Sequence, residues 1–280
     1  MDSAITSGFI DSGYVYPLKD GLWTIVGMVI FIGTVASIIP QIQILISKRS
    51  NFGLDPLMVF MNCFCCILIV MNVVCLHSYQ FIGTFQYGWY HAFPTLITFF
   101  NFFALWIGYM PVIVQSVIFF DRVVRKKRDE SQIKSERKFV VCLIILIFFI
   151  FIVFFSIFLF LGMKKGFSSE SVFSYGKTLG IICSVVNFGL FLPQIITTIK
   201  LEDHGSLSLM YLSIQGPGGM INTSFMVFGQ HEHWTTWLPI FATGCQQILL
   251  LCICVYYIRK HKKTLINEES LLVKEDQVYK

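Results

Sequence analysis

Seven long apolar runs limit what this chain of 280 residues can fold into. A helix needs about 20 residues to cross the roughly 30 Å of hydrocarbon in a bilayer, and each run reaches that length. The runs are continuously apolar, without the alternation of a barrel strand, so they predict transmembrane helices. They cover residues 21–46, 54–76, 92–120, 139–161, 175–199, 207–228 and 236–258.

The composition agrees with a membrane protein. Hydrophobic residues make up 55% of the chain and charged residues only 13%, with a mean hydropathy of +0.71. A water-soluble domain has about twice that charged fraction. The bilayer is therefore the expected solvent for most of the chain.

The basic residues predict the orientation, because cytoplasmic loops retain Lys and Arg. Seventeen of the 21 lie in segments that would share one side: 47–53, 121–138, 200–206 and 259–280. The other four are Lys19, Lys164, Lys165 and Lys177. We therefore expect residues 1–20 on the lumenal or outer side and the tail, 259–280, in the cytoplasm. The net charge of +5 reflects this topology, and no nucleic-acid partner is expected.

The chain repeats itself at an offset of 153 residues, from Pro40 to Pro193. Residues 39–42 (Ile-Pro-Gln-Ile) align with 192–195 (Leu-Pro-Gln-Ile), Asn62 with Gln215, and, after a small shift, Asn101 with Gln246. Three helices per copy and one linker helix give both copies the same orientation in the membrane. The expected fold is all-α, with seven transmembrane helices as two parallel three-helix repeats (21–120 and 174–258), a basic loop (121–138) and a linker helix (139–162).

Each copy carries a Pro-Gln pair near the end of its first helix, at Pro40-Gln41 and Pro193-Gln194. Proline has no N–H, so it leaves the carbonyl four residues earlier without its helical donor and bends the helix. A freed carbonyl within a membrane must find a partner or line a wet cavity. The two pairs are therefore predicted hinges.

Polar residues at helical spacing predict a path between the copies, since polar groups within a membrane face the bundle interior or an aqueous route. The alternative is that they are hydrogen-bonding contacts between helices. The predicted path residues are Thr34, Asn62, Asn101, Asn187, Ser208, Gln215, Asn222, Gln246 and Gln247.

The paired Pro-Gln motifs, followed by Gly-Leu-Asp (53–55) and Ser-Leu-Ser (206–208), resemble the PQ-loop repeat family. That family includes cystinosin and lysosomal cationic amino-acid exporters and shares its fold with SWEET sugar transporters. The second half looks most like uncharacterised PQ-loop proteins of fungi and other simple eukaryotes. The resemblance implies a transporter of a small solute, an amino acid or similar, working by alternating access in a lysosomal, vacuolar or other endomembrane.

The resemblance leaves the driving force open. Cystinosin-like members carry an acid associated with proton coupling in the second copy, where this chain has Gln215. Asp55 in the first copy is the remaining candidate for a coupling acid, with a helix cap as its alternative role.

Transport is not the only function that these patterns allow. The main rival is a ligand-binding seven-helix receptor or scaffold that recruits a cytoplasmic partner without transport. An acidic, dileucine-like stretch at 268–272 suggests a sorting adaptor as such a partner. No enzyme, metal or cofactor is expected, because His231 and His233 lack a completing carboxylate cluster and the nine cysteines fall within predicted spans.

Overall fold

The computed structural model describes residues 21–49, 56–78, 80–81, 84, 89–118, 130–203 and 205–278. Within these parts the fold is all-helical, and they contain no strand. The candidate coupling acid Asp55 lies outside the described residues, as do 1–20 and 121–129.

Eight α-helices make up the described chain. They are α1 (Gly21–Lys48), α2 (Pro56–Leu76), α3 (Trp89–Ile118), α4 (Glu130–Lys165), α5 (Glu170–Asn187), α6 (Leu192–Leu201), α7 (Leu209–Ser224) and α8 (Trp234–Val278). A π-helical turn, Phe225–Gly229, continues α7.

Six segments are long and apolar enough to cross a membrane, with α5 and α6 together forming one of them. The seventh predicted span, 207–228, corresponds to α7 and its π turn, of 16 and 5 residues. It is not among the six, because its apolar stretch is short and is interrupted by Gln215 and the Gly-Pro-Gly-Gly sequence at 216–219.

Three predicted boundaries need correction. The predicted span 175–199 is two helices, because the chain turns at residues 188–191 between α5 and α6. The predicted basic loop 121–138 is helical from Glu130, and the predicted tail 259–280 continues α8 as far as Val278. Polar helix ends that extend beyond the apolar segment are not detected by hydrophobicity alone.

The helices of the two halves pair in the same order. In the first half α3 contacts both α1 and α2, and in the second half α8 contacts both α5 and α7. The halves meet through α1 against α7 and through α2 against α5. The third helix of each half therefore supports two helices at the interface between the halves.

Individual contacts give the helix directions. Gly27 faces Ile97 and Gly108 faces Ile38, so α1 and α3 run the same way. Between the halves, α1 and α7 run in opposite directions, because Gln41 bonds to Ser206 and Ser208 at the start of α7 while Gly27 contacts Phe225 at its end.

The core lies between the halves rather than around α4. Most of α2 is buried, whereas most of α4 is exposed. The exposed face of α4 is rich in Phe and Ile, including Phe149 and Ile152. Such a face matches hydrocarbon rather than water, as expected of a helix at the edge of a membrane bundle.

Candidate functional site

A cavity of about 230 Å³ lies between the two halves. Residues from α1, α2, α3, α7 and α8 line it. Among the described residues, its lining carries amide, hydroxyl and apolar side chains and no charged one. The site is thus suited to a ligand that hydrogen-bonds without bringing a net charge, because a lone charge would be costly there.

Six of the nine predicted path residues line this cavity. They are Thr34, Asn62, Asn101, Gln215, Asn222 and Gln247. Five different helices supply them, so the cavity is formed only when both halves are packed together.

Asn101 on α3 is the most informative of these residues. It is only 2% exposed, and neither its amide nitrogen nor its amide oxygen has a hydrogen-bond partner among the described residues. Thr98, one turn earlier on the same helix, also has a buried hydroxyl without a described partner. A buried amide left unpaired costs about 1–3 kcal/mol, so the Asn101 amide, which lines the cavity, is available for a ligand or water there.

Gln215 bridges the halves at one side of the cavity. Its Nε2 donates a hydrogen bond to the Ser37 hydroxyl on α1, and Ser37 in turn donates to the Thr34 carbonyl at 2.7 Å. The residue that stands where the resemblance would place a coupling acid is therefore a neutral link between α1 and α7.

The other three predicted path residues do not line the cavity. Ser208 caps α7, since its hydroxyl accepts from the Tyr211 N–H at 3.1 Å. Asn187 ends α5, and its side chain bonds to Cys183 and Thr243. Gln246 lies behind the cavity, against the turn between α5 and α6. These three stabilise backbone rather than face a ligand.

The first Pro-Gln pair ties the two halves together. Helix α1 runs unbroken through Pro40, and the buried Gln41 side chain reaches the segment before α7. Its Nε2 donates to the Ser206 carbonyl at 3.3 Å, and its Oε1 accepts from the Ser208 N–H at 2.9 Å. Lys48 adds a third bond by donating to the Gly205 carbonyl at 2.5 Å.

The second Pro-Gln pair follows a break in the helix. Pro193 lies in the first turn of α6, where a missing N–H is tolerated, and the chain between α5 and α6 turns at residues 188–191. The fully buried Gln194 donates to the Thr198 hydroxyl at 3.4 Å. The positions equivalent to Ser206–Ser208 in the first half, 53–55, lie outside the described residues.

Gln246 on α8 bridges this break. Its Nε2 donates to the Asn187 carbonyl at the end of α5, and its Oε1 accepts from the Phe191 N–H at 3.0 Å. One amide side chain therefore pairs with the Phe191 N–H and adds a second donor to the Asn187 carbonyl, which also accepts from the Leu190 N–H at 3.3 Å.

The cavity is closed at both ends. At the Pro-Gln end, the buried Tyr109 and Tyr211 hydroxyls are 3.2 Å apart, and a hydrogen bond to Gln41 connects the start of α7 to α1. At the other end, a Cβ on Gly27 would lie 2.7 Å from Ile97 and 2.8 Å from Phe225, so these helices are in close contact. Ile97 and Phe225 are almost fully buried.

A side-chain hydrogen bond joins the halves beyond that second end. His77 Nε2, just after α2, lies 2.9 Å from a carboxylate oxygen of Glu232, which precedes α8. Nearby, partial burial and the charge of Lys177 lower the pKa of His233. Far away, at the Pro-Gln end, the exposed Glu202 has a lowered pKa because Lys260 donates a hydrogen bond to it.

Sequence reasoning missed the tyrosine pair and the cavity glycines. Tyr211 precedes Gln215 by four residues and Gly218 by seven, so the helical spacing placed all three on one face. Gly33 and Gly218 line the cavity, and a Cβ at either position would meet no atom within 4 Å. In the described part of the chain, no group of three His, Cys, Asp or Glu side chains is placed to hold a metal ion.

These features define an all-helical, multi-pass membrane protein with a polar cavity between two similar halves. The family model described as PQ loop repeat matches residues 22–82 and 175–235, one stretch in each half. The chain therefore carries two PQ-loop repeats, which confirms the resemblance that the paired motifs indicated.

Part of the chain is similar to a fungal protein. An uncharacterised protein of Schizosaccharomyces pombe (strain 972) is 33% identical over 100 residues, which is 36% of this chain. The alignment covers only 33% of the relative's length, about a third. This similarity agrees with the resemblance to fungal PQ-loop proteins and assigns no activity.

Proposed function

We propose that this protein is a transporter that moves a small neutral or zwitterionic solute, an amino acid or similar, across an endomembrane by alternating access. The observation that carries the proposal is the Asn101 amide, buried and unpaired beside a cavity between the halves. A solute that hydrogen-bonds to this amide would remove the free-energy cost of leaving it buried and unpaired. The uncharged lining supports the choice of solute.

The architecture that we propose for this activity is seven transmembrane helices in a 3+1+3 order. α7 with its π turn would be the short seventh span, and α4 the linker. The matched helix pairing of the two halves supports two parallel repeats. The excess of basic residues in alternate loops supports a lumenal start and a cytoplasmic tail.

Two sets of contacts would act as gates. At the Pro-Gln end these are the Tyr109–Tyr211 pair and the Gln41 bonds to the α7 start. At the opposite end they are the contacts among Gly27, Ile97 and Phe225. Alternating access requires each set to open while the other stays closed, and the Pro-Gln pairs are the proposed hinges for that motion. The closed form described here would be the occluded state.

The test is solute flux into liposomes that contain the purified protein. Radiolabelled neutral amino acids and hexoses are supplied one at a time, at pH 5.5 and pH 7.5. We expect at least one to accumulate and its flux to fall at least tenfold in Asn101→Leu. Ser213→Ala is the control, because that hydroxyl is exposed and bonds back to its own helix through the Met210 carbonyl.

Other outcomes separate the alternatives. Saturable binding of a solute without flux would overturn the transporter and favour the ligand-binding receptor. Flux unchanged between the two pH values would exclude Asp55 as a proton-coupling acid. Flux that is as strong in Asn101→Leu as in the unsubstituted protein would mean that the solute does not bind at Asn101.

A further inference from the structure

Helices α1 and α7 touch at two levels and separate between them. At one level Gln215 donates to the Ser37 hydroxyl, and at the other Gly27 meets the Phe225 ring. From Gly27 to Ser37, α1 rises about 15 Å at about 1.5 Å per residue. The gap between the two contacts is therefore about half a bilayer in height.

Two glycines, one on each helix, line the cavity between these two levels. Gly33 on α1 and Gly218 on α7 both line the cavity, and a Cβ built at either would find no atom within 4 Å. Elsewhere on the same helices, a Cβ at Gly27 or Gly216 would come within 3 Å of a neighbour. Gly21, at the start of α1, is open as well, so what distinguishes Gly33 and Gly218 is that their open space belongs to the cavity.

The gap leads to the outer surface of the bundle. Val29 and Ile221 line the cavity and are nevertheless 63% and 59% exposed. Both ends of the cavity are closed by buried residues, as described above. These two side chains are therefore exposed on the lateral surface of the bundle. There, a spanning helix is surrounded by hydrocarbon.

We propose that the cavity opens sideways into the bilayer between α1 and α7 and binds the head of a membrane lipid with an uncharged, hydrogen-bonding head group, of the diacylglycerol or ceramide type. The proposal rests on the same cavity as the proposed function, and it adds a lipid as a second ligand of that cavity besides the transported solute. The lipid head lies against Asn101, Asn222 and Gln215, and its chains pass between Gly33 and Gly218 into the hydrocarbon.

The chemistry of the lining selects this ligand. Amides and hydroxyls without a charged partner bind hydroxyl and ester or amide groups, whereas a phosphate would be left without a cation. At about 10–15 Å³ per water-sized group, the cavity of about 230 Å³ holds on the order of twenty such groups. That is too few for a lipid with two chains, so the chains must lie outside, and Val29 and Ile221 provide an apolar rim for them.

The test is photolabelling of the full chain in phosphatidylcholine nanodiscs. The probe is a diacylglycerol with a diazirine close to its head group and an alkyne for detection, and the labelled peptides are identified by mass spectrometry. We expect labels on the cavity-lining stretches of α3 and α7, and at least fivefold less of this labelling in Gly33→Leu and in Gly218→Leu. An excess of unlabelled diacylglycerol should compete, and phosphatidic acid should not.

Gly21→Leu is the matched control. A Cβ at Gly21 also meets no atom within 4 Å, but this residue starts α1 and does not line the cavity. The two glycine variants lie on different helices, so a folding failure of one, detected by its thermal unfolding, leaves the other to decide. Equal labelling in all three variants, labels confined to the outer surface of the bundle, or competition by phosphatidic acid alone would overturn the proposal.

The labelling does not depend on transport. Cavity labelling without any solute flux would leave the lipid site standing and defeat the transporter. Flux of a water-soluble solute that is unchanged in Gly218→Leu, together with no cavity labelling, would defeat the lipid site and leave the transporter standing.

Discussion

The two Pro-Gln pairs occupy the same position in their repeats, yet the helices that carry them differ. Helix α1 continues through Pro40 to Lys48, whereas the equivalent helix of the second half ends at Asn187 and resumes at Leu192. Proline removes one helical hydrogen bond in both cases. The motif therefore makes a break possible, and other residues decide whether it occurs.

Residues around each proline account for the difference. The residue four positions before Pro40 is Ala36, the best helix former, and the one before Pro193 is Gly189, which costs about 1 kcal/mol more in a helix. The third helices differ as well. Gln246 reaches the broken backbone, whereas its repeat equivalent, Asn101, faces the cavity. One repeat thus uses this amide to pair the backbone, and in the other the amide lies at the cavity without a partner among the described residues.

The largest expected effect is on the bridge across the break. Gln246→Leu removes the partner of the Phe191 N–H and one of the two donors to the Asn187 carbonyl. One buried backbone group left unpaired should cost about 1–3 kcal/mol, which lowers the thermal midpoint in detergent by roughly 3–10 °C. Cys245→Ala, an exposed neighbour on α8, is the control. A midpoint as high as that of the control would mean that the break does not depend on Gln246.

The equivalent change in the first half should act in the opposite direction. Asn101→Leu removes a buried amide that has no partner among the described residues, so stability should rise by about 1 kcal/mol. The thermal midpoint measured without solute reports this gain. A midpoint that falls, as in Gln246→Leu, would indicate that Asn101 also supports the fold, and the contrast between the two repeats would be lost.

The sequence predicted the shared features of the two halves better than their differences. Apolar runs and the alignment of Pro40 with Pro193 are local patterns, and they indicated the helices and the repeat. Whether Gln246 faces a cavity or a backbone depends on where α5 breaks, which is a tertiary property. The same limit explains why Asn187 and Ser208 were predicted on the path, although each caps or ends a helix.

The glycines of the cavity were missed for a related reason. A glycine in an apolar helix packs closely in one place, as at Gly216, and leaves space in another, as at Gly218. The two positions are two residues apart in the same Gly-Pro-Gly-Gly sequence. Only the position of the neighbouring helix distinguishes a contact from an opening.

A smaller effect is expected at the hydrogen bonds between Gln41 and the segment before α7. Gln41→Met removes the acceptor of the Ser208 N–H and a donor to the Ser206 carbonyl. Losing about 1 kcal/mol of local hydrogen bonding should speed amide exchange at Ser208 by roughly fivefold, measured by hydrogen exchange on peptides covering 205–212. Gln43→Met, exposed on the same helix, is the control. Equal exchange in both variants would mean that Gln41 does not restrain this segment.

The smallest effects come from exchanging the residues four positions before the prolines. Ala36 is exposed on α1, so Ala36→Gly should cost about 0.5–1 kcal/mol through helix propensity alone. A Cβ at Gly189 would meet its nearest atoms at 3.9 Å, so Gly189→Ala fits and should stabilise by about 0.4–1 kcal/mol. Thermal midpoints measure both changes in stability. Solute flux then shows whether the break at 188–191 has to move during transport. If the break at 188–191 is a working hinge, Gly189→Ala raises the midpoint and slows transport, whereas Ala36→Gly lowers the midpoint without slowing it. A rise in midpoint with unchanged flux in Gly189→Ala would mean that the break is a fixed bend.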